Sequence, residues 1–123
     1  MKKKWLCLFV LILLLTAPLT GLARRESERL LARSLTQVGK AATPETMLAL
    51  SSAVLNRAGD TCLGAVNDAL TQMNFTRGFR VNARAAQAAQ AALSGTRTLP
   101  AHITHVSRAP VPLSTALGGY YFY

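Results

Sequence analysis

Cysteine is scarce in this chain of 123 residues, and the two cysteines are Cys7 and Cys62. Cys7 falls in an apolar N-terminal segment, so a domain that lacks this segment keeps one cysteine and has no intrachain disulfide. A small domain without disulfides depends on its apolar core for stability. We expect Cys62 to be a buried small apolar residue, which is a commoner state than a reactive thiol.

Acidic residues are also few, with five Asp and Glu against 14 Lys and Arg and a formal net charge of +9. Residues 77–108 contain five arginines and no acid. Such an excess favours an anionic wall polymer or lipid headgroup as the partner, and it equally suits a solvated face that keeps the domain soluble. Export, indicated below, makes nucleic acid a poor partner, so we expect none.

The chain lacks the common catalytic and metal-binding motifs. It has no serine triad motif, no phosphate-binding loop and no Cys-x-x-Cys pair. His102 and His105 are the only histidines, and two ligands from one short segment do not make a closed zinc site. We therefore expect no metal and no cofactor.

Residues 1–23 have the layout of a secretory signal. Three lysines at positions 2–4 precede an apolar run over 5–15, and small residues at 21 and 23 suit a signal peptidase. The alternative is an uncleaved anchor, because residues 5–23 carry no charge. Cleavage would place the protein outside the cytoplasm, secreted or in the cell wall, with membrane contact only if the signal is retained.

Cleavage would leave residues 24–123 as one small domain with eleven basic and five acidic residues, a net charge of +6. We expect this domain to be a monomer.

Cap residues and apolar periodicity predict four helices in this domain. Ser27 caps a helix over 27–38, and Thr43-Pro44-Glu45 begins a buried central helix that runs to about Arg57. Thr61 caps a third helix, and Asn82 caps an alanine-rich fourth helix over 83–93.

Two short strands are predicted near the C-terminus, over 102–107 and 120–123. The expected fold is therefore α+β, mainly helical, with a short strand pair.

Several segments of the chain resemble a known family. They are Leu30-Leu31-Ala32-Arg33, a helix end at Leu55-Asn56-Arg57, Asn74-Phe75-Thr76, Thr104-His105-Val106, and the terminal Gly119-Tyr120-Tyr121-Phe122-Tyr123. This order is similar to the cell wall hydrolases that include the spore cortex-lytic enzymes. The resemblance implies a lysozyme-like fold and cleavage of peptidoglycan glycan strands by one carboxylic acid that protonates the glycosidic oxygen.

The sequence departs from the family pattern at the position of that acid. The family has a glutamate five residues after the arginine of the Leu-Leu-Ala-Arg segment, and here that position is Val38. Gln37 is adjacent, but an amide cannot serve as the proton donor. Loss of a general acid costs roughly 10²–10⁴ in rate. Glu45 is the candidate substitute, and its ordinary role is to complement the helix dipole.

The sequence leaves three functions open, the first two from the resemblance and the third without it. The protein is an active glycan-strand hydrolase, a non-catalytic peptidoglycan-binding module, or a small basic exported protein that binds anionic wall polymers or membrane. The residues we expect to contact peptidoglycan are Gln37, Asn74, Phe75, Thr76 and His105.

Overall fold

The computed structural model describes residues 25–40 and 42–123, which form an α+β domain with four helices and a small antiparallel sheet. The predicted α+β class is therefore confirmed. The predicted signal at 1–23 lies outside the described residues. Within the described part of the chain, no helix is both long and apolar enough to cross a membrane.

The first two helices begin and end close to their predicted positions. Residues 25–38 are helical and are called α1, so Ser27 is buried within the helix and the prediction that it is the cap was wrong. The second helix, α2, is Pro44–Ala58. The Thr43 side chain accepts a hydrogen bond from the Thr46 backbone N–H at 3.3 Å, which is the predicted N-cap. Gly59, at φ 71°, ends α2 in the left-handed conformation that a side chain would disfavour.

The third helix, α3, is Leu63–Gln72, and its start differs from the prediction. Cys62, not Thr61, is the N-cap, and its side chain makes no cap bond. An Asp60 carboxylate oxygen instead accepts from the backbone N–H groups of Thr61 and Cys62, at 2.6 and 3.4 Å. The prediction that Cys62 is buried was wrong: it is exposed, because the chain crosses the surface between α2 and α3.

Asn74 ends α3 in a Schellman motif. Its φ is 57°, and its N–H donates to Thr71 O at 3.1 Å while the Phe75 N–H donates to Leu70 O at 2.9 Å. Phe75 then packs against the core. These two bonds satisfy carbonyls that the helix end would otherwise leave unpaired.

The fourth helix, α4, is Ala83–Leu93, as predicted. The Asn82 side chain accepts from the Ala85 N–H at 2.7 Å and caps it. Four alanines repeat on one face at helical spacing, are buried and let α4 pack against α2. They are Ala85, Ala88, Ala89 and Ala92.

The sheet has three strands, β1 (Val106–Ser107), β2 (Thr115–Leu117) and β3 (Tyr120–Phe122), in the order β1-β3-β2. The predicted strand pair was therefore incomplete. β2 has two exposed residues of three, so its sequence carries no alternating pattern. The strand predicted over 102–107 is shorter, because Ile103 is drawn into a turn by its N–H bond to Pro100 O at 3.0 Å.

The apolar core surrounds α2, which packs against α3 and α4. Phe122 of β3 is fully buried, as are Leu31 and Leu35 of α1. The other large buried side chains are Met47, Leu50, Val54, Val66 and Leu70. Burial of a side chain of this size contributes roughly 1.5–3 kcal/mol.

Both ends of α2 contact the C-terminal part of the chain. At its C-terminal end, the Asn56 side chain donates to Pro100 O at 2.9 Å and to Ile103 O at 3.0 Å, and Arg57 donates to Thr104 O at 3.4 Å. At its N-terminal end, Thr46 lies against the turn between β2 and β3. The Leu-Asn-Arg segment thus holds the loop that leads into the sheet.

Gly118 occupies a position where a side chain does not fit. Its φ is 59°, and a Cβ there would lie 2.3 Å from Thr46 Oγ1. Gly119 has φ 84° and would meet nothing within 4 Å. The two glycines therefore differ in steric room and share the left-handed backbone.

We predict that Gly118→Ala lowers the free energy of unfolding by about 3 kcal/mol, from backbone strain and the clash with Thr46. The matched control Gly119→Ala should lose only about 1 kcal/mol, from strain alone. Urea unfolding followed by circular dichroism measures both, and Thr46→Ala should recover part of the Gly118→Ala loss. Equal losses in the two glycine variants would contradict the contact.

Candidate functional site

A crevice lies at the C-terminal end of α1, beside Val38. We call it the Val38 crevice, and its volume is about 510 Å³. The end of α1, the residue before the cap of α2, and the turn leading into β3 border it. The lining residues are Gln37, Val38, Lys40, Ala42, Arg108, Gly118, Gly119 and Tyr120.

A second concavity adjoins it on the other side of Gln37 and Lys40. We call it the loop cavity, because the loop between α3 and α4 forms one wall, and its volume is about 630 Å³. Gln37 and Lys40 line both spaces, so the two are neighbours, and together we call them the basic depression. The lining residues are Thr36, Gln37, Lys40, Arg77, Gly78, Phe79, Arg80 and Asn82.

The depression is basic throughout. Lys40 and Arg108 line the Val38 crevice, and Lys40, Arg77 and Arg80 line the loop cavity. No carboxylate is among the lining residues of either space. The local field therefore favours an anionic ligand.

Hydrogen bonds to the end of α1 shape the Val38 crevice. The Val38 carbonyl accepts from the Tyr120 hydroxyl at 2.9 Å and from the Arg108 guanidinium at 3.0 Å. Arg108 also donates to the Tyr120 hydroxyl at 3.0 Å, and its guanidinium carbon lies 5.2 Å from the Tyr120 ring centroid. A cation at a helix C-terminus stabilises the negative end of the helix dipole. This arrangement fixes the side chains of Arg108 and Tyr120 at the crevice wall.

The loop between α3 and α4 is held against α1 at two points. The Asn82 N–H donates to Thr36 Oγ1 at 3.1 Å, and that hydroxyl donates to Ala32 O at 2.7 Å. Gly78 lies against Gln37, since a Cβ on Gly78 would be 3.0 Å from Gln37 Oε1. The loop cavity is thus bounded by anchored backbone.

Two of the residues that the sequence singled out lie in the crevice. Gln37 is exposed and lines both spaces, and Val38 is half-buried and packs partly against the core. Val38 therefore places an aliphatic side chain in the wall of the crevice.

The other predicted contact residues line neither space. Asn74 supplies the left-handed end of α3, Phe75 is half-buried against the core, and Thr76 is exposed. His105 lies at the start of β1, where its ring stacks on Tyr123 with centroids 5.0 Å apart. Their role in binding stays a prediction.

Glu45, the substitute acid considered above, is exposed in the first turn of α2 and does not line either space. This is the position in which a carboxylate complements the helix dipole. No described residues form a group of three or more potential metal ligands.

Sequence reasoning missed most of the lining residues. Lys40 lies in the turn after α1, Arg77 and Arg80 lie in the α3–α4 loop, and Arg108 follows β1. The acid-free run over 77–108 was the available signal, since it contains three of these four cations. That they meet at the end of α1 depends on long-range packing that no local pattern records.

A separate concavity of about 420 Å³ lies between α1 and α3. Glu26, Arg29 and Arg33 are on its α1 side, so charges of both signs surround it. It does not share a lining residue with the basic depression.

Comparison with known proteins finds no family model, no curated protein and no solved structure that matches the chain.

We predict that Tyr120→Phe lowers the free energy of unfolding by about 1 kcal/mol, because the Val38 carbonyl and Arg108 lose a partner. The control is Tyr121→Phe, since the Tyr121 hydroxyl makes no hydrogen bond with the described residues and its loss should change stability by less than about 0.5 kcal/mol. Urea unfolding measures both. An equal effect of the two substitutions would contradict a structural role for the Tyr120 hydroxyl.

Proposed function

We propose that this domain is a non-catalytic module that binds cell wall peptidoglycan in the Val38 crevice. The observation that supports the proposal most directly is the composition of the crevice. An aliphatic side chain, Val38, stands at the position of the family's acid, with Lys40 and Arg108 beside it and no carboxylate in the lining.

The chemistry of glycan cleavage explains why we propose binding without catalysis. Protonation of the leaving oxygen requires a neutral acid at the glycosidic bond, and its absence costs roughly 10²–10⁴ in rate. A carboxyl flanked by two cations would also stay ionised near neutral pH, the wrong state for a proton donor. The crevice thus disfavours acid catalysis both because no acid lines it and because its cations would keep a carboxyl ionised.

The same lining suits a ligand that combines sugar hydroxyls with carboxylates. The Gln37 amide offers both a donor and an acceptor to a sugar hydroxyl. Lys40 makes no hydrogen bond or ion pair with the described residues, and the Arg108 guanidinium has further N–H groups beyond those bonded to Val38 and Tyr120. Peptidoglycan presents glycan strands and stem-peptide carboxylates together, which matches these groups.

The resemblance to the cell wall hydrolases adds support from the sequence. The Leu-Leu-Ala-Arg and Leu-Asn-Arg segments have the family's spacing, and Val38 is where that spacing puts the acid. A signal at residues 1–23 would deliver the domain to the wall. Under this proposal the domain binds the substrate of the resembled family but does not cleave it.

Binding to purified sacculi tests the proposal. We expect the protein to pellet with sacculi, and Lys40→Gln or Gln37→Ala to weaken the apparent affinity by about fivefold each. Arg29→Gln is the matched control, because Arg29 is exposed on α1 and lines neither space of the depression. Pelleting that is absent, or equally reduced by Arg29→Gln, would contradict binding in the crevice.

A zymogram tests the absence of catalysis. We expect no clearing of a gel that contains sacculi, because no carboxylate lines the crevice. Glu45→Gln should behave as the parent does. Clearing by the parent that Glu45→Gln abolishes would show that Glu45 acts as the acid and that the domain is a hydrolase.

A further inference from the structure

We infer that the loop cavity is a second binding site, which takes an anionic sugar unit: the ring stacks on Phe79, and Lys40 with Arg80 holds a carboxylate or phosphate attached to it. The inference rests on the proposed function, since the loop cavity shares Gln37 and Lys40 with the Val38 crevice. The inference specifies the chemical class of the sugar unit that binds next to the Val38 crevice.

The first observation is that Arg80 has no structural partner. Arg84, Arg97 and Arg108 each donate to a main-chain carbonyl and so stabilise the fold. Arg80 makes no hydrogen bond or ion pair with the described residues, and the same holds for Lys40. Both cations line the loop cavity with their hydrogen-bonding capacity unused.

The second observation is that Phe79 lines the same cavity as these charges. Its side chain is 98% exposed, the most exposed phenylalanine of the described chain, although it sits in a cavity wall. Covering the apolar surface of a water-exposed aromatic ring with another apolar surface is favourable in free energy. The carbon-bound hydrogens of a sugar ring provide such a face, and the neighbouring cations select sugars that carry an oxyanion.

The third observation is that the loop is fixed to α1. Asn82 is bonded to Thr36, and Gly78 packs on Gln37, so Phe79 and Arg80 lie between two anchored points. Because the backbone on both sides of Phe79 and Arg80 lies against α1, ordering the loop on binding costs less entropy.

Arg77 contributes positive charge to this site. Its guanidinium donates to Thr71 Oγ1 at 3.0 Å on α3, which holds the charge at the cavity. No carboxylate lines the cavity to neutralise it. Arg77 therefore adds to the positive field without being the direct donor.

A carboxylate and a phosphate are two sources of the same oxyanion chemistry. The lactyl carboxylate of N-acetylmuramic acid, which is free where the stem peptide has been removed, supplies the first, and N-acetylglucosamine 6-phosphate represents the second. N-acetylglucosamine is the neutral match for both. Titration of each sugar into the labelled protein, followed by backbone amide shifts in NMR spectra, separates the three.

We expect both anionic sugars to shift the amides of residues 77–82 and of Lys40, with dissociation constants on the order of 1–10 mM. The sugar that binds more tightly identifies the source of the oxyanion. Arg80→Gln and Phe79→Ala should each weaken binding by about fivefold, and Arg29→Gln should leave it within about twofold. All three substitutions are at exposed positions, and circular dichroism verifies the fold.

Three results would overturn the inference. The first is that neutral N-acetylglucosamine causes amide shifts as large as those caused by the anionic sugars. The second is that no sugar shifts the amides of residues 77–82. The third is that the protein binds only phosphatidylglycerol vesicles and that Phe79→Ala abolishes this vesicle binding. The last would assign the loop to a lipid surface.

The two proposals fail separately. Sacculi that still pellet the protein, with no sugar shifts in the loop, would remove this inference alone. Shifts in the loop without pelleting would support this site and remove the peptidoglycan module.

Discussion

The structure depends on the burial of α2 along its length and on the contacts at its two ends. Pro44–Ala58 spans roughly 20 Å, and its buried face is mostly small side chains, which let α3 and α4 approach closely. Asn56 and Arg57 hold the loop before the sheet at one end, and Thr46 meets Gly118 at the other. The sheet has only eight residues in strands, too few to be stable alone, so its position is set by this helix.

The basic depression is a consequence of that arrangement. Because Thr46 locates the turn at Gly118, Tyr120 is placed where its hydroxyl meets the Val38 carbonyl at the end of α1. Arg108, which directly follows the edge strand β1, donates to the same carbonyl. The crevice is therefore built from helix ends and a turn, where main-chain groups need partners, and those partners happen to be cationic or phenolic.

The helices could be predicted from sequence because their signals are local. Thr43-Pro44-Glu45 and Asn82 cap the helices they were expected to cap, and the bounds of α4 agree residue for residue. β2 was missed because Thr115–Leu117 has no alternation, and Cys62 was misplaced because its exposure depends on the path between two helices. In the site, Gln37 and Val38 were singled out by the resemblance to the cell wall hydrolases, while Lys40, Arg80 and Arg108 meet there through contacts between distant parts of the chain. Asn74, by contrast, was explained by a helix end.

The strand order β1-β3-β2 gives the domain a defined sequence of assembly. The central strand is the last of the three along the chain, so each edge strand lacks a hydrogen-bonding neighbour until Tyr120–Phe122 has been synthesised. The hairpin of β2 and β3 closes a short loop and forms readily, whereas pairing of β1 with β3 requires closure of a longer connection. Pairing of Tyr120–Phe122 with both edge strands therefore completes the sheet and adds the wall formed by Tyr120 to the depression.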